Sequence, residues 1–267
     1  MEFLLFLLLG LGVGIFGTLV GIGGGLILVP IFIFFMSEGG IYPYFHTAAE
    51  IVGTSLFVVF TNALSGTLAY IRQKRVFFRA AIPFSLATLP GAFFGSYVAD
   101  TFNVHMLDFY FGLFLLVMAG IMYWNTRRKP PTDIVMVDKD FKFNMPLGVG
   151  SSTLVGFISS IFGIGGGIVH VPLMIYLLGF PVHVATATSH FVLACSSLSG
   201  VVSHVLLNHV IWLPAICLGV GAATGAQIGA RISRKTKSKS IMTLLAFAVL
   251  LMAVKLILMG TPALKLP

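Results

Sequence analysis

Two copies of one pentapeptide carry the strongest chemical signal in this chain: Gly21-Ile22-Gly23-Gly24-Gly25 and Gly163-Ile164-Gly165-Gly166-Gly167. Each interrupts a long apolar stretch, and each is followed by Val-Pro, at Val29-Pro30 and Val171-Pro172. Glycine weakens a helix by about 1 kcal/mol relative to alanine, so four in five residues break one. A glycine-rich turn that opens a new helix presents unpaired backbone N–H groups and the positive end of the helix dipole, which suits an anion. Gly23, Gly24, Gly25, Gly165, Gly166 and Gly167 are therefore candidate anion-binding residues, with Leu26 and Ile168 opening the helices behind them. The plainer alternative is that these glycines only allow close helix packing.

Hydroxyl-bearing residues add a second signal. Ser55, Asn62 and Gly66 share one face at helical spacing, as do Ser189, Ser196 and Gly200. Thr54, Thr61 and Ser65 form a neighbouring stripe, matched by Thr188, Cys195 and Ser199. Thr54, Ser55, Asn62, Thr188 and Ser189 are read as ligand- or pathway-lining candidates, against interhelical packing or bonding back to their own backbone. His190 joins them, because an ionisable group inside a membrane segment is a functional candidate by default and imidazole can carry a proton. His170 and His204 rank behind it, and Glu50 reads as a gate or an interfacial residue. Gly91 with Gly95, and Gly221 with Gly225 and Gly229, are small residues four apart and read as helix packing.

Elements that could hold these residues are apolar throughout. The chain is 58% hydrophobic and 9% charged, far from soluble composition. Apolar stretches of membrane-spanning length recur along it, which defines an all-α polytopic membrane protein of 8–10 hydrophobic helices. Met1-Glu2-Phe3 lacks the basic start of a signal peptide. The net charge of +8 does not point to nucleic acid, because the basic residues sit in short loops between apolar segments. Cys195 and Cys217 lie inside apolar segments and suggest no disulfide. No metal-ligand spacing, cofactor motif or Walker-type phosphate loop is present.

The halves match residue by residue. At an offset of 142, Gly21–Gly25 fall on Gly163–Gly167; at 134, Thr54-Ser55 fall on Thr188-Ser189, Leu64-Ser65-Gly66 on Leu198-Ser199-Gly200, and Gly95 on Gly229. The expected units are residues 1–124 and 145–267, joined by a polar linker at 125–144. Of the 16 Lys and Arg residues, all but Lys255 and Lys265 lie at 72–79, 127–142 or 231–239. Lys and Arg collect in cytoplasmic loops. Placing all three clusters inside makes each glycine-broken first element cross twice or not at all, as a re-entrant hairpin or a pair of short helices. The halves then have inverted topology, the arrangement of many secondary transporters, whose sites lie at broken helices. Both termini are expected outside.

With its two Gly-x-Gly-Gly-Gly breaks, each followed by proline, and the later Gly53-Thr54-Ser55 and Leu-Ser-Gly motifs, nearly the whole chain resembles the sulfite exporter TauE/SafE family. Ala187-Thr188-Ser189 departs from the Gly-Thr-Ser pattern. The resemblance implies transport of sulfite or related sulfur anions, such as sulfonates, across the bacterial cytoplasmic membrane. The expected function is thus a secondary transporter or facilitator for a small inorganic or organosulfur anion, in the exporting direction, with membrane lipid around it and a homodimer left open. Competing classes are an intramembrane enzyme using Ser and His, and a membrane assembly subunit without flux.

Overall fold

The computed structural model describes residues 2–37, 45–99, 101–102, 104–128, 134 and 141–260. The first-half loop at 38–44, much of the 125–144 linker and the residues beyond 260 lie outside these. Ten α-helices form among the described residues: α1 Glu2–Val20, α2 Gly25–Ser37, α3 Ala48–Arg72, α4 Phe78–Ala99, α5 Val104–Arg128, α6 Met145–Phe162, α7 Gly167–Pro172, α8 Val182–Leu206, α9 Trp212–Lys235 and α10 Ser238–Gly260. There is no strand among the described residues. After Pro172, α7 widens into a π-helical turn, Leu173–Leu177, consistent with the ring's clash with the preceding turn. Eight helices, all but α2 and α7, are long and apolar enough to cross a membrane. The protein is a multi-pass, all-helical membrane protein.

Small residues decide which helices touch. A Cβ on Gly10 or Gly14 of α1 would strike the carbonyls of Leu218 or Ala222, and one on Gly221, Gly225 or Gly229 of α9 those of Leu7, Leu11 or Ile15. The backbones are therefore in direct contact, as small-residue packing in membranes allows. Gly91 and Gly95 of α4 meet the Thr153 and Phe157 carbonyls of α6 in the same way, and Gly156 of α6 meets that of Thr88. The sequence reading of these glycines as packing residues describes what they do here.

Contact positions also fix helix directions. Numbers rise together along α1 and α9, so the two are parallel. They rise together along α3 and α9, from Thr54–Ile211 through Asn62–Ala222 to Gln73–Ala230. Since α1 and α3 both run parallel to α9, the chain must turn back between them, and α2 makes that return. The second half behaves alike. Both α6 and α8 run parallel to α4, the latter through Phe78–Phe191 and Ser199–Leu89, and α7 makes the return. In contrast α3 and α8 are antiparallel, because Gly53 faces His204 while Gly66 faces His190.

Candidate functional site

The two glycine breaks meet each other. Gly21, Gly23 and Gly24 have φ of 87°, 75° and 89°, and Gly163, Gly165 and Gly166 have 69°, 70° and 94°. Side chains are disfavoured in this left-handed region, which is where the tight turns need glycine. A Cβ on Gly25 would lie 2.7 Å from Gly163 O and Ile164 Cα, and one on Gly167 2.5 Å from Gly21 O. Gly23 and Gly165 both face Val59 and Leu193, near the middles of the 25-residue helices α3 and α8. The tips thus touch at mid-depth, with the N-terminal ends of α2 and α7 brought together. Among the described residues, no backbone carbonyl accepts from the N–H groups of Gly24, Gly25 or Leu26, nor from those of Gly166, Gly167 or Ile168. Residues 21–26 and 163–168 are all buried.

A polar cluster flanks the first tip. Asn62 Nδ2 donates to the Gly14 and Ala222 carbonyls at 3.1 and 3.2 Å. That orientation leaves Oδ1 to accept from Thr18 Oγ1 at 3.1 Å, and Thr18 Oγ1 lies 3.3 Å from His190 Nε2. The Tyr70 hydroxyl donates to the Thr18 carbonyl at 2.6 Å, and its ring meets the His190 imidazole edge-on at 5.6 Å. Gly66 makes the room, since a Cβ there would lie 2.6 Å from His190 Nε2. Asn62 and His190 are completely buried. Ser55 donates to Gly163 O at 2.9 Å and so ties α3 to the second tip. Its counterpart Ser189 is equally buried, but among the described residues its hydroxyl has no partner, and neither has His190 Nδ1.

Other candidates from the sequence hold the frame. Thr188 accepts the Phe77 N–H at 3.0 Å, and Thr54 accepts the Ile211 N–H at 3.0 Å. Each caps a connection in the opposite half rather than facing a tip. Ser65 donates to Ala223 O and is met by Gln227, while Ser199 donates to Leu89 O. Thr61 bonds its own helix at Val58 O. Glu50 completes a capping box with Thr47 at the start of α3. His204 lies away from the first cluster, its Nδ1 3.1 Å from that of His209.

His170 stacks on Phe84 and has Ser152 Oγ at 2.9 Å from its Nε2. This is the serine–histidine contact a hydrolytic reading would require. Ser152, however, donates its proton to Gly148 O at 2.6 Å. It must then accept from Nε2–H, which leaves that nitrogen unable to act as base toward the serine. Among the described residues, no group of three or more His, Cys, Asp or Glu could hold a metal ion.

Sequence reasoning misses Thr18 and Tyr70. Thr18 carries a readable signal: at the 142-residue offset it falls on Ser160, so a hydroxyl precedes both breaks at the same distance. Tyr70 falls on His204 and offers no comparable pattern.

A multi-pass helical bundle whose two broken helices converge at mid-depth has the architecture of a membrane transporter. Residues 6–256 match the family Sulfite exporter TauE/SafE, and the chain belongs to that family. It is 34% identical to "Probable membrane transporter protein YunE" of Bacillus subtilis over 97% of this chain and 99% of that protein. It is 30% identical to "Probable membrane transporter protein MJ0441" of Methanocaldococcus jannaschii, over 92% of this chain and 93% of that one. It is 25% identical to "Probable membrane transporter protein YfcA" of Escherichia coli K12, over 88% and 82%. No solved structure matches the chain.

Proposed function

We propose that this protein is a secondary transporter or facilitator that exports a small sulfur-containing anion, sulfite, a sulfonate or similar, across the cytoplasmic membrane. The observation that carries the reading is the meeting of the two buried glycine tips at mid-depth. Unpaired N–H groups and two positive dipole ends converge there, and such ends attract anions. The buried Ser189 hydroxyl of α8, without a partner among the described residues, is a further candidate donor. Family membership supports the anion class, and the word sulfite comes from the family's description alone.

In this reading the binding residues are Gly23, Gly24, Gly25, Ser55, Asn62, Gly165, Gly166, Gly167, Ser189 and His190. Thr54 and Thr188 hold the frame around them. Residues 1–124 and 145–267 are inverted repeats joined by a cytoplasmic linker at 125–144, with both termini outside. Three observations support the inversion: α3 and α8 are antiparallel, each broken element returns to the side it started from, and contacts of one half recur in the other. Gly24 faces Val13 where Gly166 faces Val155, and Gly21 faces Thr186 where Gly163 faces Val52; each pair obeys the sequence offsets. Positive charge supports this orientation, since Arg72, Arg231, Arg234 and Lys235 line one cavity at one end of the bundle.

The test is uptake of labelled sulfite, an alkanesulfonate and sulfate by proteoliposomes, with Gly24→Leu and Gly166→Leu variants beside the wild type. Saturable flux of a sulfur anion, lost in both variants while the protein still inserts, is expected. Wild-type liposomes no leakier than empty ones refute the transporter reading, and near-normal flux in the variants returns the glycines to packing.

A further inference from the structure

Just past the end of α3 sits a buried cation that ties α8 and α9 to this connection but plays no part in the central site. Arg75 follows the helix in a tight connection, after Lys74 at φ 58°, and is 2% exposed. Its guanidinium donates through Nη1 to Gln73 Oε1 at 3.1 Å, and through Nη2 to the His183 carbonyl at 3.1 Å and Ser233 Oγ at 3.3 Å. Nη2 also lies 3.1 Å from His183 Nδ1, a third acceptor sharing its two N–H groups. The Tyr70 ring lies 4.8 Å from Arg75 Cζ. None of these partners is a carboxylate, and among the described residues Nε–H has no partner. A buried charge is ordinarily paired, and among the described residues no carboxylate bonds to this one.

Next to it is a cavity of about 410 Å³ lined by Arg72, Gln73, Gln227, Arg231, Arg234 and Lys235. Two of these lining residues reach Arg75 directly: Gln73 by its hydrogen bond, and Arg234 through its charge. Burial pushes the Arg75 guanidinium down from its ordinary value, Tyr70 opposes that, and Arg234 adds to it. An anion beside Arg75 relieves both unfavourable contributions. At the matching position of the second half stands His209, behind Asn208 with the same φ of 58°. The permanent cation therefore belongs to one end of the molecule only.

We propose that this basic cavity, with Arg75 at its back, is an anion-recruiting station: a small oxyanion binds there before it passes Tyr70 to the glycine tips. Among the described residues Arg75 keeps Nε–H unbonded for an oxyanion, and the planar, forked guanidinium groups of Arg72, Arg231 and Arg234 in the cavity wall match the oxygens of sulfite- and sulfonate-type groups. Tyr70 stands between the two sites, against Arg75 on one side and bonded to the Thr18 carbonyl and packed on His190 on the other. The inference rests on the transporter reading for its route but makes its own demand, a binding site on the basic face alone.

The experiment uses the full chain in neutral lipid, with sulfite as the probe and transport started separately from each face. Arg75→Lys keeps the charge and loses the fork. Arg231→Gln changes an exposed cavity wall and cannot unfold a buried contact. Both are expected to raise KM from the basic face roughly tenfold or more, the scale of a charge-assisted hydrogen bond, while KM from the opposite face stays within about twofold. Equal changes at both faces, or none at either, overturn the station. Where wild-type flux is absent, sulfite titrated into purified protein in neutral detergent decides between the same alternatives: binding weakened at least about tenfold by Arg75→Lys supports the station, and unchanged or undetectable binding overturns it. Absent wild-type flux itself counts only against the transporter reading. If the variants alter retention of phosphatidylglycerol but not sulfite affinity, the cavity is a lipid-headgroup site and the proposal fails.

Discussion

Alanine at Gly167 tests the contact between the two tips without disturbing their left-handed turns. Gly167 lies outside the positive-φ set, so the substitution adds a methyl group and little backbone strain. That methyl would sit 2.5 Å from Gly21 O and 2.6 Å from Ile22 Cα. Carbon atoms pack best at about 3.5–4.0 Å, so the tips must separate by roughly 1 Å. The struck atoms are backbone, which no rotamer change can move. Overpacking costs about 1–3 kcal/mol, and this case belongs at the upper end. For a chain of this size each kcal/mol lowers the unfolding midpoint by about 2–4 °C, which puts the expected drop at roughly 5–10 °C. Gly25→Ala meets Gly163 O and Ile164 Cα at 2.7 Å and should cost slightly less. Gly12→Ala and Gly150→Ala are controls, because nothing lies within 4 Å of either added carbon; each should gain up to about 1 kcal/mol from helix propensity. Thermal unfolding in detergent reads stability, and proteoliposome flux reads the site, where roughly 1 Å of misplacement should lower flux about tenfold or more. A Gly167→Ala protein as stable and active as its Gly12→Ala control would show that the tips do not need their contact.

Three further outcomes follow from the same geometry. Gly66→Ala pushes a carbon to 2.6 Å from His190 Nε2 and should lower flux severalfold with a modest loss of stability, about 1–3 kcal/mol; unchanged flux would detach His190 from transport. His190→Gln should alter apparent affinity and leave the shape of the flux–pH profile between roughly pH 5.5 and 7.5 unchanged, since His190 contacts Thr18 and Tyr70 but no acidic group; loss of the pH dependence would make it a proton carrier. In a background without Cys195 and Cys217, an impermeant thiol reagent added outside intact cells should label Asn208→Cys and spare Lys237→Cys. The reverse pattern would overturn the orientation and put the basic end outside.

Legibility from sequence varied with how local the cause was. The breaks at 21–25 and 163–167 were readable because glycine's helix penalty is a property of the residue itself. The basic cluster at 231–239, read as a loop, is partly helical: α9 runs on to Lys235 because Arg and Lys continue a helix well once it leaves the apolar layer. Partner choice was less readable. Thr54 and Thr188 matched at the correct offset, yet nothing local says that each reaches the backbone N–H of a connection more than a hundred residues away. Arg75 read as one more loop cation, because burial depends on how α3, α8 and α9 close over it. Thr18 was legible in principle through its match to Ser160, and was hidden among apolar neighbours.

The central proposal is that a small sulfur anion leaves the cell through the meeting point of the tips, and because a negative-inside potential already drives an anion outward, no coupling ion is required. For a monovalent anion, 100 mV is worth about 2.3 kcal/mol, or roughly fiftyfold in concentration. Flux of an alkanesulfonate, a monoanion at any working pH, through reconstituted wild-type protein, with the membrane potential clamped by valinomycin and potassium, tests this directly. The account predicts saturable flux whose steady-state gradient follows the potential by roughly that factor and ignores an imposed pH gradient. A gradient that follows pH and disregards potential, or no saturable flux at all, would contradict it.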